Sequence, residues 1–286
     1  MSTIPGMGKT LLNIHSNLNG LTKAEQKVAQ YILDNASDII YHSVTELAEK
    51  ADVGETTVLR LCRKLKFQGF QDFKLSLAQD LVKPIDNLHQ EITEEDDSTA
   101  LNEKIIANHI RTLEQTRELA VSDQLGKAIH ALLRARCIYF FGVGSSGLTA
   151  MQAAHSFSRI GKLSSAKADT HFQAMEAALM TKEDVAVGIS ISGSTKDTIE
   201  NLTLAKKTGA TVIAITSNAR SPITKVADIS LLMIARENPL QGSSLSAKIS
   251  QLAVIDILNV AVSLQMKDEA LRTREVTARA ISEKLY

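Results

Sequence analysis

Apolar and polar positions follow two different rhythms along this chain. Up to residue 83 the apolar residues recur every three or four positions, the period of a helix packed on one face. Thr22 reads as an N-cap, and Glu25 completes a capping box. A helix over 22–35 is therefore predicted, with Val28, Ala29 and Ile32 on its inner face and 16–21 before it as a loop. Ser43 caps a second, short helix whose Val44, Leu47, Ala48 and Ala51 have i, i+3, i+4, i+7 spacing. A break at Asp52-Val53-Gly54 leads into a third helix, 55–65, with Val58, Leu61, Cys62 and Leu65 as its buried stripe. Beyond residue 136 the rhythm changes. Short apolar runs at 137–143, 163–168, 185–191, 211–216 and 229–234 alternate with helical stretches ending at 160 and spanning 170–180, 195–208, 222–226 and 245–264. Such alternation predicts a parallel sheet covered by helices on both faces, the α/β class.

Between the two regimes, residues 84–103 hold seven acids and no Lys or Arg, including the run Glu94, Glu95, Asp96, Asp97. A polar acidic stretch opening on proline reads as a solvated linker. The expected organisation is a helical domain over 1–83, a linker over 84–103 and an α/β domain over 104–286. The whole chain, 286 residues with 32 basic and 32 acidic side chains, has no net charge, which excludes a polycation but permits a local basic face. Cys62 and Cys137 supply neither a disulfide framework nor a zinc-binding pair, so no metal and no cofactor is expected. The amino end lacks the apolar run of a signal peptide, and no stretch of about 18 apolar residues is evident, so a cytoplasmic protein without a membrane span is expected.

Two short helices joined by a tight turn containing glycine make a helix-turn-helix pattern. On the third helix Thr57, Arg60 and Lys64 fall at i, i+3, i+7 and are expected to share one exposed stripe, flanked by Thr56 and Arg63. Hydroxyl and guanidinium groups on such a helix can reach base edges in the major groove. Residues 60–74 carry five basic side chains (Arg60, Arg63, Lys64, Lys66, Lys74) against one acid, Asp72, enough to neutralise several phosphates. Glu55 beside this face is assigned to the helix N-terminus. The alternative is a helical bundle with a solvated basic face.

In the α/β half, the first apolar run ends in Gly142-Val143-Gly144-Ser145-Ser146-Gly147 directly before a helix, and the third ends in Ser190-Ile191-Ser192-Gly193-Ser194-Thr195, again before a helix. Helix starts attract anions through free N–H groups. Hydroxyls of Ser190, Ser192 and Thr195 can join those amides around phosphate oxygens. With strands ordered 2-1-3-4-5, the two loops flank the switch point where such sheets bind ligands. A rival reading takes the first loop as a GxGxxG dinucleotide fingerprint, with Asp169 on the ribose, which would make a redox-sensing repressor binding NAD(H). That reading leaves the second loop without a role. His171 stands at the mouth of the same crevice, as a sugar contact or a capping histidine. Glu237, Ser243, Ser244 and Lys248 form a polar cluster that completes a pocket or a subunit contact.

Taken together the two halves resemble the RpiR family of bacterial transcriptional regulators, which join a helix-turn-helix domain to a sugar isomerase (SIS) domain. The resemblance rests on Leu21–Ala29, Thr57–Leu65 and Gly69–Lys74 in the first half. In the second it rests on GVGSSG from Gly142, ADTH from Ala168, SISGST from Ser190 and VIAITS from Val212. It implies a five-stranded parallel α/β/α sandwich of flavodoxin-like order that dimerises and binds phosphorylated sugars. It implies phosphate contacts from Ser190, Ser192 and Thr195, with Gly193 and Ser194 in the same loop, and sugar contacts from Ser146 with Ser145 beside it. The Asp-Thr-His stretch looks like that of members answering to amino-sugar phosphates, which sets His171 at the sugar end. Ser194 departs from the pattern, standing where many SIS domains have glutamate.

An isomerase or lyase needs a positioned acid or base near the sugar. Only His171, Glu176 and Glu237 lie near these loops, and no two form a recognisable pair, so a sensor is expected and not an enzyme. The expected partners are operator DNA, as an inverted repeat, a sugar-phosphate effector, and further copies of the chain as a homodimer or homotetramer.

Overall fold

The computed structural model describes residues 8–81, 92–93, 95–120, 123–235, 245–282 and 284. Among these the chain divides between Asn108 and His109 into two compact units.

The amino-terminal unit is helical: α1 (Lys9–Asn17), α2 (Lys23–Asp34), α3 (Ala36–Ile39), α4 (Val44–Lys50), α5 (Glu55–Lys64) and α6 (Phe70–Leu81). Both predicted starts are built as capping boxes, Thr22 with Glu25 on α2 and Ser43 with Glu46 on α4. Residues 16–21 are not a simple loop: α1 runs to Asn17 and a 3-10 turn covers Leu18–Gly20. In the turn between α4 and α5 the left-handed residue is Asp52, at φ 53°, a conformation that Asp tolerates better than most side chains. Gly54 lies at φ −81° and instead opens α5. One apolar core joins the helices, with Ile14, Val28, Ile32, Leu47, Leu61, Phe73 and Leu77 at its centre.

Lys74 lies inside this unit, not on a phosphate-binding surface as its place in the basic run suggested. Its ammonium donates to the His42 carbonyl at 2.8 Å and sits 5.6 Å from the centre of the Phe70 ring. The spacing of Phe70, Phe73, Leu77 and Ala78 explains this, because Lys74 follows directly on Phe73 and turns inward with it.

After α6, residues 84–91 and 94 of the expected linker lie outside the described residues. Ser98–Glu103 are already the first turns of α7 (Ser98–Ala120). Two acids of the run brace that helix start: Asp97 accepts the Ala100 N–H at 2.8 Å, and Asp96 pairs with Lys104 at 2.7 Å.

The second unit continues with α8 (Asp123–Arg134), β1 (Ile138–Phe141), α9 (Ser145–Arg159), β2 (Ser164–Ala166), α10 (Thr170–Leu179), β3 (Val185–Ile189), α11 (Lys196–Lys207), β4 (Thr211–Thr216), α12 (Pro222–Val226), β5 (Ile229–Leu232), α13 (Leu245–Met266) and α14 (Asp268–Ser282). The five strands are parallel in the order β2-β1-β3-β4-β5. The two-residue period of a strand divides its apolar run between two cores. Phe140, Val187, Ile189, Ile213 and Ile215 pack on one face, and Phe141, Ala186, Val212 and Ala214 on the other. The apolar runs are two or three residues longer than β1, β2, β3 and β5, because their ends form the loops at the strand termini.

Contrary to the expectation of no such stretch, α13 is long and apolar enough to cross a membrane by length and composition alone. Its Ala247, Val254, Ile255, Leu258 and Val262 are buried in the core beside the sheet, and Ser250 and Gln251 are buried among them, as suits the core helix of a folded domain.

Burial pushes the Lys74 ammonium down to about 8 from its ordinary 10.5. The unfolded chain therefore binds the extra proton between those values, and the penalty of burying the charge is full below pH 8 and gone above 10.5. Urea unfolding of the amino-terminal unit in the full chain should show wild type gaining up to about 3 kcal/mol on Lys74→Met between pH 7 and 10.5. A constant difference across that range would contradict this.

Candidate functional site

Register places the carboxyl ends of β1 and β3 side by side, with Phe141 opposite Gly188. The loops 142–144 and 190–195 that follow these strands lead straight into α9 and α11. Neither helix start has a side-chain cap, whereas α10 is capped by Asp169, whose Oδ1 accepts from the amides of His171 (2.9 Å) and Phe172 (3.1 Å). Two first turns with amide donors open to a ligand thus stand at the switch point.

The second loop is held by its neighbours. Ser190 and Thr195 share a hydroxyl hydrogen bond of 2.9 Å across it. Ser192 Oγ accepts the Ser194 amide at 3.3 Å. From the end of β4, Thr216 Oγ1 (3.1 Å) and Ser217 Oγ (2.8 Å) donate to the Ile191 carbonyl, and Asn218 Nδ2 donates to that of Ser192 (3.0 Å). Gly193 turns the chain at φ 64°, with its Cα so close to Ser221 that a Cβ would lie 2.2 Å from Oγ.

The first loop is braced from α13. Gln251, fully buried, donates to Ser146 Oγ at 3.0 Å and accepts from Thr149 Oγ1 at 2.6 Å. The Lys248 ammonium donates to the Ser145 carbonyl and to Thr149 Oγ1 at 2.9 Å, and burial lowers its pKa. A cation beside a helix start, bonded to these two neutral oxygens, is a charge that a phosphate can share. A second buried amide, Gln173, ties the sites together: Nε2 donates to the carbonyls of Gly142 and Lys167, both at 2.8 Å, while Oε1 accepts from Asn201 of α11 at 3.2 Å.

Of the residues expected here, Ser145, Ser146, Ser190, Ser192, Gly193, Ser194 and Thr195 lie on the two adjacent loops and helix starts. His171 is exposed at the start of α10, its backbone amide engaged by Asp169. Glu237, Ser243 and Ser244 lie outside the described residues. Sequence reasoning missed Gln173, Gln251, Asn201 and Asn218. An amide inside an apolar helical run, such as Gln251 before Leu252-Ala253-Val254-Ile255, was the available signal. Asp169, the acid of the dinucleotide reading, caps α10 through its Oδ1. The close turn that accounts for Gly142 is local, because a Cβ there would meet the Ser146 carbonyl at 2.8 Å.

On the helical unit, α5 departs from the expected stripe. Thr57 is buried beside Val58 and Leu61, because it stands four residues before Leu61 and eight before Leu65. Its Oγ1 accepts from Arg60 at 3.4 Å. Lys64 reaches back to the start of α2, donating to the Gly20 carbonyl at 2.8 Å and pairing with Glu25 at 3.1 Å. The Thr22 amide, with help from Lys64, holds the Glu25 carboxyl below its ordinary value despite burial. Thr56, Arg60 and Arg63, at i, i+4, i+7, are exposed, and so is Lys64, its ammonium engaged with Glu25 and Gly20. Glu55 is turned away from it by accepting the Thr45 hydroxyl.

Residues 8–84 match the helix-turn-helix domain of the rpiR family, and residues 131–261 match the SIS domain. An HTH-type transcriptional regulator of Haemophilus influenzae is 38% identical over 281 residues, covering 96% of this chain and 97% of its own. The HTH-type transcriptional regulator HexR of Pseudomonas aeruginosa is 35% identical, covering 91% and 90%. Among solved structures, the NanR protein of Vibrio vulnificus complexed with ManNAc-6P superposes with a TM-score of 0.87 at 28% identity, covering 97% of this chain and 99% of that one.

Gly193→Ala forces an ordinary side chain into left-handed backbone and against Ser221, and should cost about 2 kcal/mol or more. Ser194→Ala, with a half-buried hydroxyl, should cost about 0.5 kcal/mol or less. Thermal unfolding of the two variants checks the contrast.

Proposed function

The chain belongs to the rpiR family of helix-turn-helix proteins with a SIS domain, and on that premise we infer that it is a DNA-binding transcriptional regulator whose SIS domain senses a phosphorylated sugar and controls genes of sugar metabolism. The observation that carries the effector half is the pair of uncapped helix starts on adjacent strands, each preceded by a hydroxyl-bearing loop. In this reading Ser190, Ser192 and Thr195, with the amides around Gly193 and Ser194, hold the phosphate. Lys248 adds charge from α13. Ser145, Ser146 and His171 meet the sugar. An amino-sugar phosphate is the favoured class, supported by the likeness to NanR with its bound ManNAc-6P.

The DNA half rests on the face of α5. Thr56, Arg60 and Arg63 read or grip DNA, and Lys64 fixes the angle of the helix through Glu25. A homodimer or homotetramer in the cytoplasm, presenting paired α5 helices to an inverted repeat, completes the reading. Relatives covering nearly the whole chain carry regulator names, which favours binding without turnover.

Thermal-shift measurements against hexose and amino-hexose 6-phosphates, with NADH as control, test the effector. A ligand at 100 times its Kd stabilises the folded state by about 2.7 kcal/mol, a shift of several degrees. Stabilisation by NADH alone would overturn the assignment. Arg60→Ala should weaken binding to DNA selected by the wild-type protein by about 10- to 100-fold and leave sugar-phosphate affinity unchanged. Ser192→Ala should do the reverse, with effector affinity falling about 10-fold. Equal loss of both functions in either variant would indicate misfolding or a wrong division of labour.

A further inference from the structure

Resting on the effector reading above, we propose that a buried polar relay through α13, from Ser146 by way of Gln251 and Ser250 to Thr116, transmits effector occupancy to α7, the helix that leads back toward the DNA-binding unit.

Two observations carry it. The first is the seat of α7. From His109 onward its buried residues are Thr112 and Thr116, one turn apart, whereas Ile110, Leu113 and Leu119 are exposed. Thr116 Oγ1 donates to Ser250 Oγ at 3.3 Å and accepts the Ile234 amide, just past β5, at 3.1 Å. Apolar burial is strong and non-directional, but a seat made of hydroxyls is weaker and depends on register, so small movements of the partner can change it.

The second is where Ser250 stands. It is the residue before Gln251 in a helix that is otherwise among the most apolar of the chain. Neighbouring helical residues point about 100° apart, so α13 grips α9 with Gln251 and α7 with Ser250 in one rigid turn. Lys248, one turn earlier, grips the same α9 start. A ligand that recruits the Ser146 hydroxyl or the Lys248 ammonium exchanges the bonds holding α13 to α9. The rod then turns or slides, and the Ser250–Thr116 contact changes with it. Coupling of this kind requires the ligand to favour one of the two arrangements.

The test uses the full chain with Thr116→Val, which keeps the shape and removes the hydroxyl, Thr116→Ser, which restores it, and Ser250→Ala as a second break in the relay. Three quantities are measured: affinity for the wild-type-selected DNA, affinity for members of a panel of hexose and amino-hexose 6-phosphates including ManNAc-6P, and the ratio of DNA affinities with and without saturating sugar phosphate. In Thr116→Val and Ser250→Ala the first two should stay within about threefold of wild type while the ratio falls toward one, at least fivefold below wild type. Thr116→Ser should keep the wild-type ratio. A full ratio in both breaking variants, with binding intact, overturns the relay alone. Failure of every sugar phosphate to bind the wild type overturns the effector reading and the relay together. Should Thr116→Val unfold, Ser250→Ala decides the matter.

Discussion

The neighbourhood of β1 and β3 in the parallel sheet is the constraint on which the rest depends. Strands ordered β2-β1-β3-β4-β5 send the chain in opposite directions from the centre, and at that point two strand ends release two helices with open first turns. A helix start normally finds an acceptor in its own cap. Here α10 takes Asp169 for that purpose, while α9 and α11 have no side-chain cap.

Fixed donors bind a dianion well only if they need not be reorganised, and the buried amides around the site supply that rigidity. Gln173 joins the glycine loop, the end of β2 and α11; Gln251 joins α9 and α13. Each is fully buried with both ends of its amide satisfied, a condition under which polar groups rigidify a core without an unpaired cost. The same logic acts on the helical unit. There the Lys64–Glu25 pair and the Gly20 carbonyl lock the end of α5 against the start of α2, while Thr56, Arg60 and Arg63 face outward beside the stem of Lys64.

Much of the fold was legible because periodicity reports burial directly. The strand–helix alternation, the capping box at Thr22, the cap at Ser43 and the positions of both hydroxyl-rich loops all follow from spacing. Legibility failed where two periods share a residue. Thr57 satisfies i, i+3, i+7 with Arg60 and Lys64, yet it also satisfies i, i+4, i+8 with Leu61 and Leu65, and the apolar set wins because burying Leu61 and Leu65 outweighs exposing one hydroxyl. Lys74 misled for a related reason: a charge count records basic side chains without recording which of them follow the core.

The sequence alone determined the class of fold, the two-part organisation, the positions of the two hydroxyl-rich loops and the basic character of α5, all properties that depend on residues close together in the chain. Tertiary structure decided which groups meet across it: Gln251 on Ser146, Lys248 on Thr149, Asn218 on Ser192 and Lys64 on Glu25. Those pairs lie 26 to 105 residues apart. A hydrogen bond between such distant residues leaves no periodic trace, because its partners are brought together by the packing of whole helices and strands and not by any local preference of their own.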